Sequence, residues 1–261
     1  MAAEQPALDA KVPLLPSSTP RDDAVNDAAK MRQTRKSKFQ VAAFAILLAI
    51  FWLARTWTCE HEHEQEHNEA HLKVPLEVHI MSKCPDARDC LKELVVPAMS
   101  DVSDKVDFRL SFIGKLTDDD GVECMHGQTE CLGNILMLCA AAEYPDPKSY
   151  LGFSNCLIND YQEIPNQSLI EDCALEHGLD FDTLNQCMSK DTGAYGMGLL
   201  RDSVKRSSDV GVTTSCTVRL DDKVRCVYDG GEWRDCDDGS KPEDLVRDIN
   251  RLYDEAQGWT Y

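Results

Sequence analysis

Leu76-Glu77-Val78-His79-Ile80-Met81 alternates apolar and polar residues and runs directly into Ser82-Lys83-Cys84-Pro85-Asp86-Ala87-Arg88. A period of two is the pattern of a strand. Beyond it Leu91, Leu94, Val95 and Ala98 recur at helical spacing, so the strand delivers Cys84 to the start of a helix. Pro85 suits the first helical turn, where a missing N–H costs nothing and the backbone is already preset. A thiol at that position meets exposed N–H groups and the positive end of the helix dipole, and both favour the thiolate.

Val106 to Leu116 (VDFRLSFIGKL) alternates again and is expected to be the second strand of a strand-helix-strand unit with a right-handed crossover. Near the carboxyl end, Val212 to Leu220 and Val224 to Tyr228 read as a hairpin across Asp221-Asp222, and Lys241 to Ala256 as a closing helix. Between the two halves, about 118–208 reads as a mostly helical insertion. The pattern is α/β, and residues 75–261 supply about 190 residues, enough for one well-buried core.

The insertion opens with Cys124-Met125-His126-Gly127-Gln128-Thr129-Glu130-Cys131-Leu132-Gly133-Asn134, followed by Cys139. Written as C-x-H-G-x-x-E-C-x-x-N-x-x-x-x-C, it resembles the signature of the gamma-interferon-inducible lysosomal thiol reductase family, with Met125 where that family usually has Gln. The spacing of Cys156, Cys173 and Cys187 also resembles the family. The resemblance covers most of residues 76–261 and is strongest at 84–91 and 124–139. It implies a thioredoxin-like fold carrying a disulfide-rich helical insertion, and a thiol reductase acting on disulfide-bonded proteins with a small thiol as reductant. No cofactor is implied. The signature itself reads as scaffold: a zinc site wants ligands in compact pairs, and Cys124, Cys131 and Cys139 are too widely spaced for that. His126 is either a proton shuttle or a structural histidine.

The family's active site is normally C-x-x-C, and this chain departs from it with Ala87 at the second position. Cys84 remains as the nucleophile. Cys90 does not obviously replace the missing thiol, because six residues along a helix give about 9 Å of rise and some 240° of rotation, whereas bridged Cα atoms lie within about 6.8 Å. Its role is resolving only if the helix starts late, and otherwise core or structural bridge. Cys216, in Thr213-Thr214-Ser215-Cys216, occupies by its place before the hairpin the loop where thioredoxin-like proteins carry a proline facing the nucleophile. Cys84 and Cys216 are therefore expected to form a spatial redox pair or a permanent bridge. Pairing of Cys216 with Cys226 or Cys236 stays open, although Cys226 and Cys236 flank the turn Asp229-Gly230-Gly231 and suit each other. Cys124, Cys131, Cys139, Cys156, Cys173 and Cys187 make up three further bridges whose connectivity the sequence does not choose. A member of the family that has lost catalysis and only binds partners is the alternative. A hydrolase has no support, since no G-x-S-x-G or H-E-x-x-H pattern occurs.

All 12 cysteines lie from Cys59 onward. A membrane between the two halves explains this, because disulfides persist in oxidising compartments. Phe39 to Ala54 is uncharged, and with Trp57 the apolar stretch 39–58 reaches about the 20 residues that cross a bilayer. Lys30, Arg32, Arg35, Lys36 and Lys38 crowd its amino side, which places residues 1–38 in the cytosol and the rest in a lumen. A cleaved signal peptide is the rival reading; the long basic region before the apolar core argues for a retained signal anchor. The tail 1–38 has too little apolar content for a core, and its Leu14-Leu15 weakly resembles a sorting dileucine.

The formal net charge is −19, and residues 1–38 carry 7 Lys/Arg against 5 Asp/Glu, so the acidity belongs to the luminal part. Such a surface repels nucleic acid and suits an acidic vacuole or lysosome. Residues 59–74 contain the run Glu60 to His71 (EHEHEQEHNEAH), read as a solvated stalk rather than a metal site, because imidazolium is a poor ligand in an acidic lumen. Asn166-Gln167-Ser168 is a glycosylation sequon, usable in a luminal domain.

Overall fold

The computed structural model describes residues 73–258. The expected tail 1–38, the membrane anchor 39–58 and nearly all of the stalk lie outside the described residues; Val74, assigned above to the stalk, already belongs to the first strand. Among the described residues, no helix is long and apolar enough to cross a membrane.

Strand β1 (Val74–Ile80) leads through Met81-Ser82-Lys83-Cys84 into helix α1. That helix is continuous from Pro85–Cys90 through a widened turn, Leu91–Val95, to Val96–Val102. The wide turn has a cause: Pro97 has no N–H to return to the Glu93 carbonyl, so the ladder there relaxes to longer-range bonds. Ala87, Cys90, Leu91, Leu94, Val95 and Ala98 form its buried stripe. Strand β2 (Val106–Phe112) follows, parallel to β1 in the register Val74↔Val106 to Ile80↔Phe112. It stops at Phe112, short of the expected Leu116; Lys115–Leu116 (β3) instead pairs with Val122–Glu123 (β4) as a separate two-stranded ribbon.

The insertion is helical as expected: α2 (Gln128–Glu143), α3 (Pro147–Asn159), α4 (Gln167–Glu176), α5 (Phe181–Ser189) and α6 (Ala194–Asp209). The chain then returns to the sheet as β5 (Thr217–Leu220), β6 (Lys223–Asp229) and β7 (Glu232–Arg234), and closes with α7 (Pro242–Ala256). Asp221 and Asp222, both at positive φ, make the two-residue turn between β5 and β6. Residues 212–216, expected to be strand, form the loop that enters β5.

The sheet order is β2-β1-β5-β6-β7, with only β1 and β2 parallel. A strand-helix-strand unit joined edge-on to a hairpin and a final helix is the thioredoxin-like arrangement. Strand β1, interior to the sheet, is buried on both faces. Leu76, Val78 and Ile80 alternate with Glu77 and His79, and none of the five exceeds 7% exposure. The polar face lies under α6, where Glu77 accepts from Arg206 at 2.7 Å and, beside β1, from Arg219 of β5 at 2.6 Å. His79 Nδ1 meets Ser207 Oγ at 2.9 Å, and its Nε2 meets Glu77 Oε2 at 3.3 Å.

Candidate active site

The turn from β1 to α1 is fixed one residue at a time by three different parts of the chain. The Met81 amide donates to Ser215 Oγ at 3.0 Å. The Ser82 amide donates to Asn134 Oδ1 at 3.1 Å, and Ser82 Oγ donates to the Glu130 carbonyl at 3.0 Å. Lys83 Nζ donates to the Ile164 and Gln162 carbonyls at 2.7 and 3.0 Å. Cys84 follows as the N-cap of α1, with extended backbone angles of φ −96 and ψ 127. Its carbonyl accepts from the Arg88 amide at 3.3 Å, the first helical bond, and Pro85 occupies the first turn.

The motif on α2 explains why Ser82 sits where it does. Gly127, at φ 81, turns the chain into the helix, a conformation that L side chains avoid. Cys124 and Cys131 are bridged across that turn, His126 Nδ1 pairs with the buried carboxylate of Glu130, and Asn134 faces the Ser82 amide. Gly133 allows the close approach: a Cβ there would lie 2.6 Å from Ser82 Oγ and 2.6 Å from Ile164 Cγ2. The motif is a clamp on the residue two before Cys84.

Cys84 is 8% exposed and, among the described residues, is the one cysteine without a disulfide partner. Its Sγ lies 3.9 Å from the carbonyl oxygen of Ser215. The next residue is Cys216, whose amide and carbonyl pair with Tyr228 of β6; the Ser215–Cys216 peptide is cis. Cys216 thus sits beside the nucleophile position as expected, but its bridge differs: it is bonded to Cys90, with Cα atoms 6.3 Å apart, and not to Cys84. The reason is helical phase. Cys90 shares the inward stripe of α1 with Ala87 and Leu94 and faces the β5 entry loop, whereas Cys84 caps the helix end. Cys90 is therefore a bridge residue, as its structural reading has it, with Cys216 as the partner. The remaining bridges are Cys139–Cys187, Cys156–Cys173 and Cys226–Cys236.

The surroundings of Cys84 are acidic and aromatic. Asp86 accepts from the Gly230 and Gly231 amides at 3.0 and 3.2 Å, pinning the β6–β7 turn against the helix start. Arg88, one turn beyond Cys84, is committed to Asp89 through Nε at 2.7 Å and Nη2 at 3.1 Å, and lies over the Tyr161 ring. Burial, followed by the charges of Asp89, Glu93 and Asp86, pushes the Tyr228 phenol above its ordinary range. Ser215 and Tyr228 escaped the sequence reading; only their closeness to Cys216 and the hairpin could have marked them. Asn166 is exposed and caps α4, its Oδ1 accepting from the Ser168 amide at 3.1 Å.

A thioredoxin-like sheet, a lone thiol capping the helix after β1, and a clamp built from the C-x-H-G-x-x-E-C motif define a thiol-bearing thioredoxin-fold domain. Residues 75–177 match the family model described as gamma interferon inducible lysosomal thiol reductase (GILT). The chain is 27% identical over 139 residues to GILT-like protein 1 of Drosophila melanogaster, covering 47% of this chain and 56% of that protein. It is 33% identical over 95 residues to the gamma-interferon-responsive lysosomal thiol protein of Arabidopsis thaliana, covering 34% and 39%. The chain spans about half the length of the curated relatives it matches. Similar solved structures include the thiol-disulfide exchange protein α-DsbA2 of Wolbachia pipientis (TM-score 0.47, 15% identity, 69% of this chain and 81% of that one). Another is BdbD of Bacillus subtilis (TM-score 0.45, 18% identity, 69% and 87%).

Proposed function

We propose that this chain is a thiol oxidoreductase that reduces disulfides in protein substrates, with Cys84 as nucleophile. The observation that carries the proposal is the position of Cys84: an unpaired thiol at the amino end of α1, held by the clamp and facing the Ser215 carbonyl, while the ten other described cysteines are bonded in pairs. The Cys84 thiolate attacks one sulfur of a substrate disulfide; that bond breaks, a mixed disulfide forms, and one substrate thiolate leaves. While Cys216 is held in its bridge to Cys90, a small thiol attacking Cys84 Sγ releases the second substrate thiol, and a second small thiol frees Cys84 as the small disulfide departs; with Cys216 as a thiol, Cys216 can take the resolving step instead. The domain works in an acidic lumen, vacuolar or lysosomal, tethered by residues 39–58 and glycosylated at Asn166. The cysteine distribution, the basic flank of the apolar stretch and the exposed sequon support that placement.

The second reading, a binding module without catalysis, is favoured by Ala87 in place of the second active-site thiol. Turnover of a fluorescently labelled protein disulfide by the full-length chain, with a small thiol as donor at pH 5 and pH 7, separates the two. Wild type should turn over and Cys84→Ser should fall at least 100-fold; equal rates for the two proteins would remove Cys84 from the chemistry and leave the binding role.

A further inference from the structure

Resting on the oxidoreductase reading, we infer that Cys90 and Cys216 are the second half of the redox site, holding as dithiol the electron pair that Cys84 passes to substrate. Three observations converge on this. The family's second thiol is absent at Ala87. Cys84 Sγ touches the Ser215 carbonyl, one peptide bond from Cys216, so the Cys90–Cys216 bridge lies alongside the free thiol. Cys90 and Cys216 are both 0% exposed, whereas Cys84 is 8% exposed, so a macromolecular disulfide has access to the buried pair only through Cys84. The other bridges lie elsewhere: three are confined to residues 124–187 and the fourth joins β6 to the segment after β7.

The cycle balances with named reactants. Starting with all three as thiols, Cys84 thiolate attacks the substrate disulfide and expels one substrate thiolate. Cys216 thiolate attacks Cys84 Sγ, breaking the mixed disulfide and expelling the second substrate thiolate. Cys90 thiolate attacks Cys216 Sγ, forming Cys90–Cys216 and returning Cys84 to its free state. The substrate disulfide has gained two electrons and two protons, and the Cys90/Cys216 dithiol has lost them. The arrangement in the structure, Cys84 free and Cys90–Cys216 bonded, is the spent form. Recharging runs the same path backwards: Cys84 thiolate opens the bridge at Cys216, a small thiol attacks Cys84 Sγ and restores Cys216, and a second small thiol releases Cys84 and leaves as the small disulfide.

The test is a single turnover followed by mass spectrometry. The full-length chain is reduced natively with a small dithiol, freed of it, checked for open Cys90 and Cys216, and mixed with one equivalent of a disulfide-linked model peptide. In wild type, Cys90–Cys216 should form as two peptide thiols appear, with Cys84 free at the end. In Cys84→Ser, a nearly isosteric change, formation of the bridge should slow at least 100-fold. In the double variant Cys90→Ala with Cys216→Ala, the peptide should stay on Cys84 at least ten times longer; if that variant does not fold, the wild-type and Cys84→Ser time courses decide. A stable peptide adduct on Cys84 with Cys90 and Cys216 still reduced would overturn the relay and leave the oxidoreductase reading standing. Bridge formation at the wild-type rate in Cys84→Ser would overturn the relay alone, provided that wild type still forms the Cys84 adduct. No adduct and no dependence on Cys84 would overturn both.

Discussion

Asn134 Oδ1 accepts the Ser82 amide at 3.1 Å across a sequence gap of 52 residues, and both residues are fully buried. The bond joins the family motif to the turn that carries Cys84. An Asn134→Ala protein leaves a buried N–H without a partner, which costs about 1–3 kcal/mol. Urea unfolding should show that loss, and the turnover rate with protein disulfide should drop with it as the turn loosens. Unchanged stability would mean that the clamp does not hold Ser82.

Glycines on two helices separate close packing from backbone preference. Gly133→Ala would place a methyl 2.6 Å from Ser82 Oγ and Ile164 Cγ2, forcing α2 away from the turn, and overpacking of this kind costs about 1–3 kcal/mol. Gly198, in α6, has nothing within 4 Å of a built Cβ, so Gly198→Ala should gain about 0.5–1 kcal/mol from helix propensity. Thermal melts of the two variants should move in opposite directions.

Acid should weaken the layer between β1 and α6. Burial pushes His79 down from 6.5 to about 4, outweighing the opposing pull of Glu77, with Arg219 and Arg206 adding to the depression. A histidine with a depressed folded pKa binds its proton more readily when unfolded, so its contribution is complete above pH 6.5 and is lost as pH falls toward 4. The full difference is about 3 kcal/mol. Glu77 is also held below its ordinary value: burial raises it, but Arg206, Arg219 and His79 together lower it further. Its contribution is present above pH 4.5 and disappears as pH falls through the folded value. Urea titrations at pH 7 and pH 4.5 should show wild type losing more stability than His79→Gln; parallel losses would contradict this assignment.

The closing helix is tied to the sheet by Arg225 Nε, which donates to Asp248 Oδ2 at 2.8 Å, with both side chains buried. Removing the guanidinium leaves the buried Asp248 carboxylate with only Arg247 Nε, at 3.4 Å, as ionic partner, so Arg225→Ala should cost about 1–3 kcal/mol. Replacing both partners with apolar residues should recover much of that loss, as a double-mutant cycle followed by chemical denaturation would show.

The order of elements was legible because apolar spacing is a local signal: the strand at 76–81, the helix after Cys84, the helical insertion and the terminal hairpin and helix all have counterparts in the structure. Strand ends were less legible. Alternation continued past Phe112 to Leu116, yet Phe112 is where α6 takes over the edge, its Ser203 Oγ accepting the Phe112 amide at 2.8 Å and its Ser207 Oγ donating to the Phe112 carbonyl. Alternation in β1 marks a polar face but not what covers it: α6 lies over that face, and Arg206 of α6 and Arg219 of β5 reach Glu77 from far along the chain. The position of Cys84 followed from local pattern, and the place of Cys216 beside it from its position before the hairpin. The bond from Cys216 to Cys90 did not, because it depends on which face of α1 meets a loop 126 residues away.

The central claim, that Cys84 is the free and reactive thiol of this domain, is tested most directly by alkylating the full-length protein at pH 5 and pH 7 without reductant and mapping the label by mass spectrometry. Of the cysteines from Cys84 to Cys236, only Cys84 should take the label at both pH values, with Cys90 and Cys216 recovered as a linked peptide pair. Recovery of Cys84 in a disulfide, or as a thiol that stays unlabelled while others react, would contradict it.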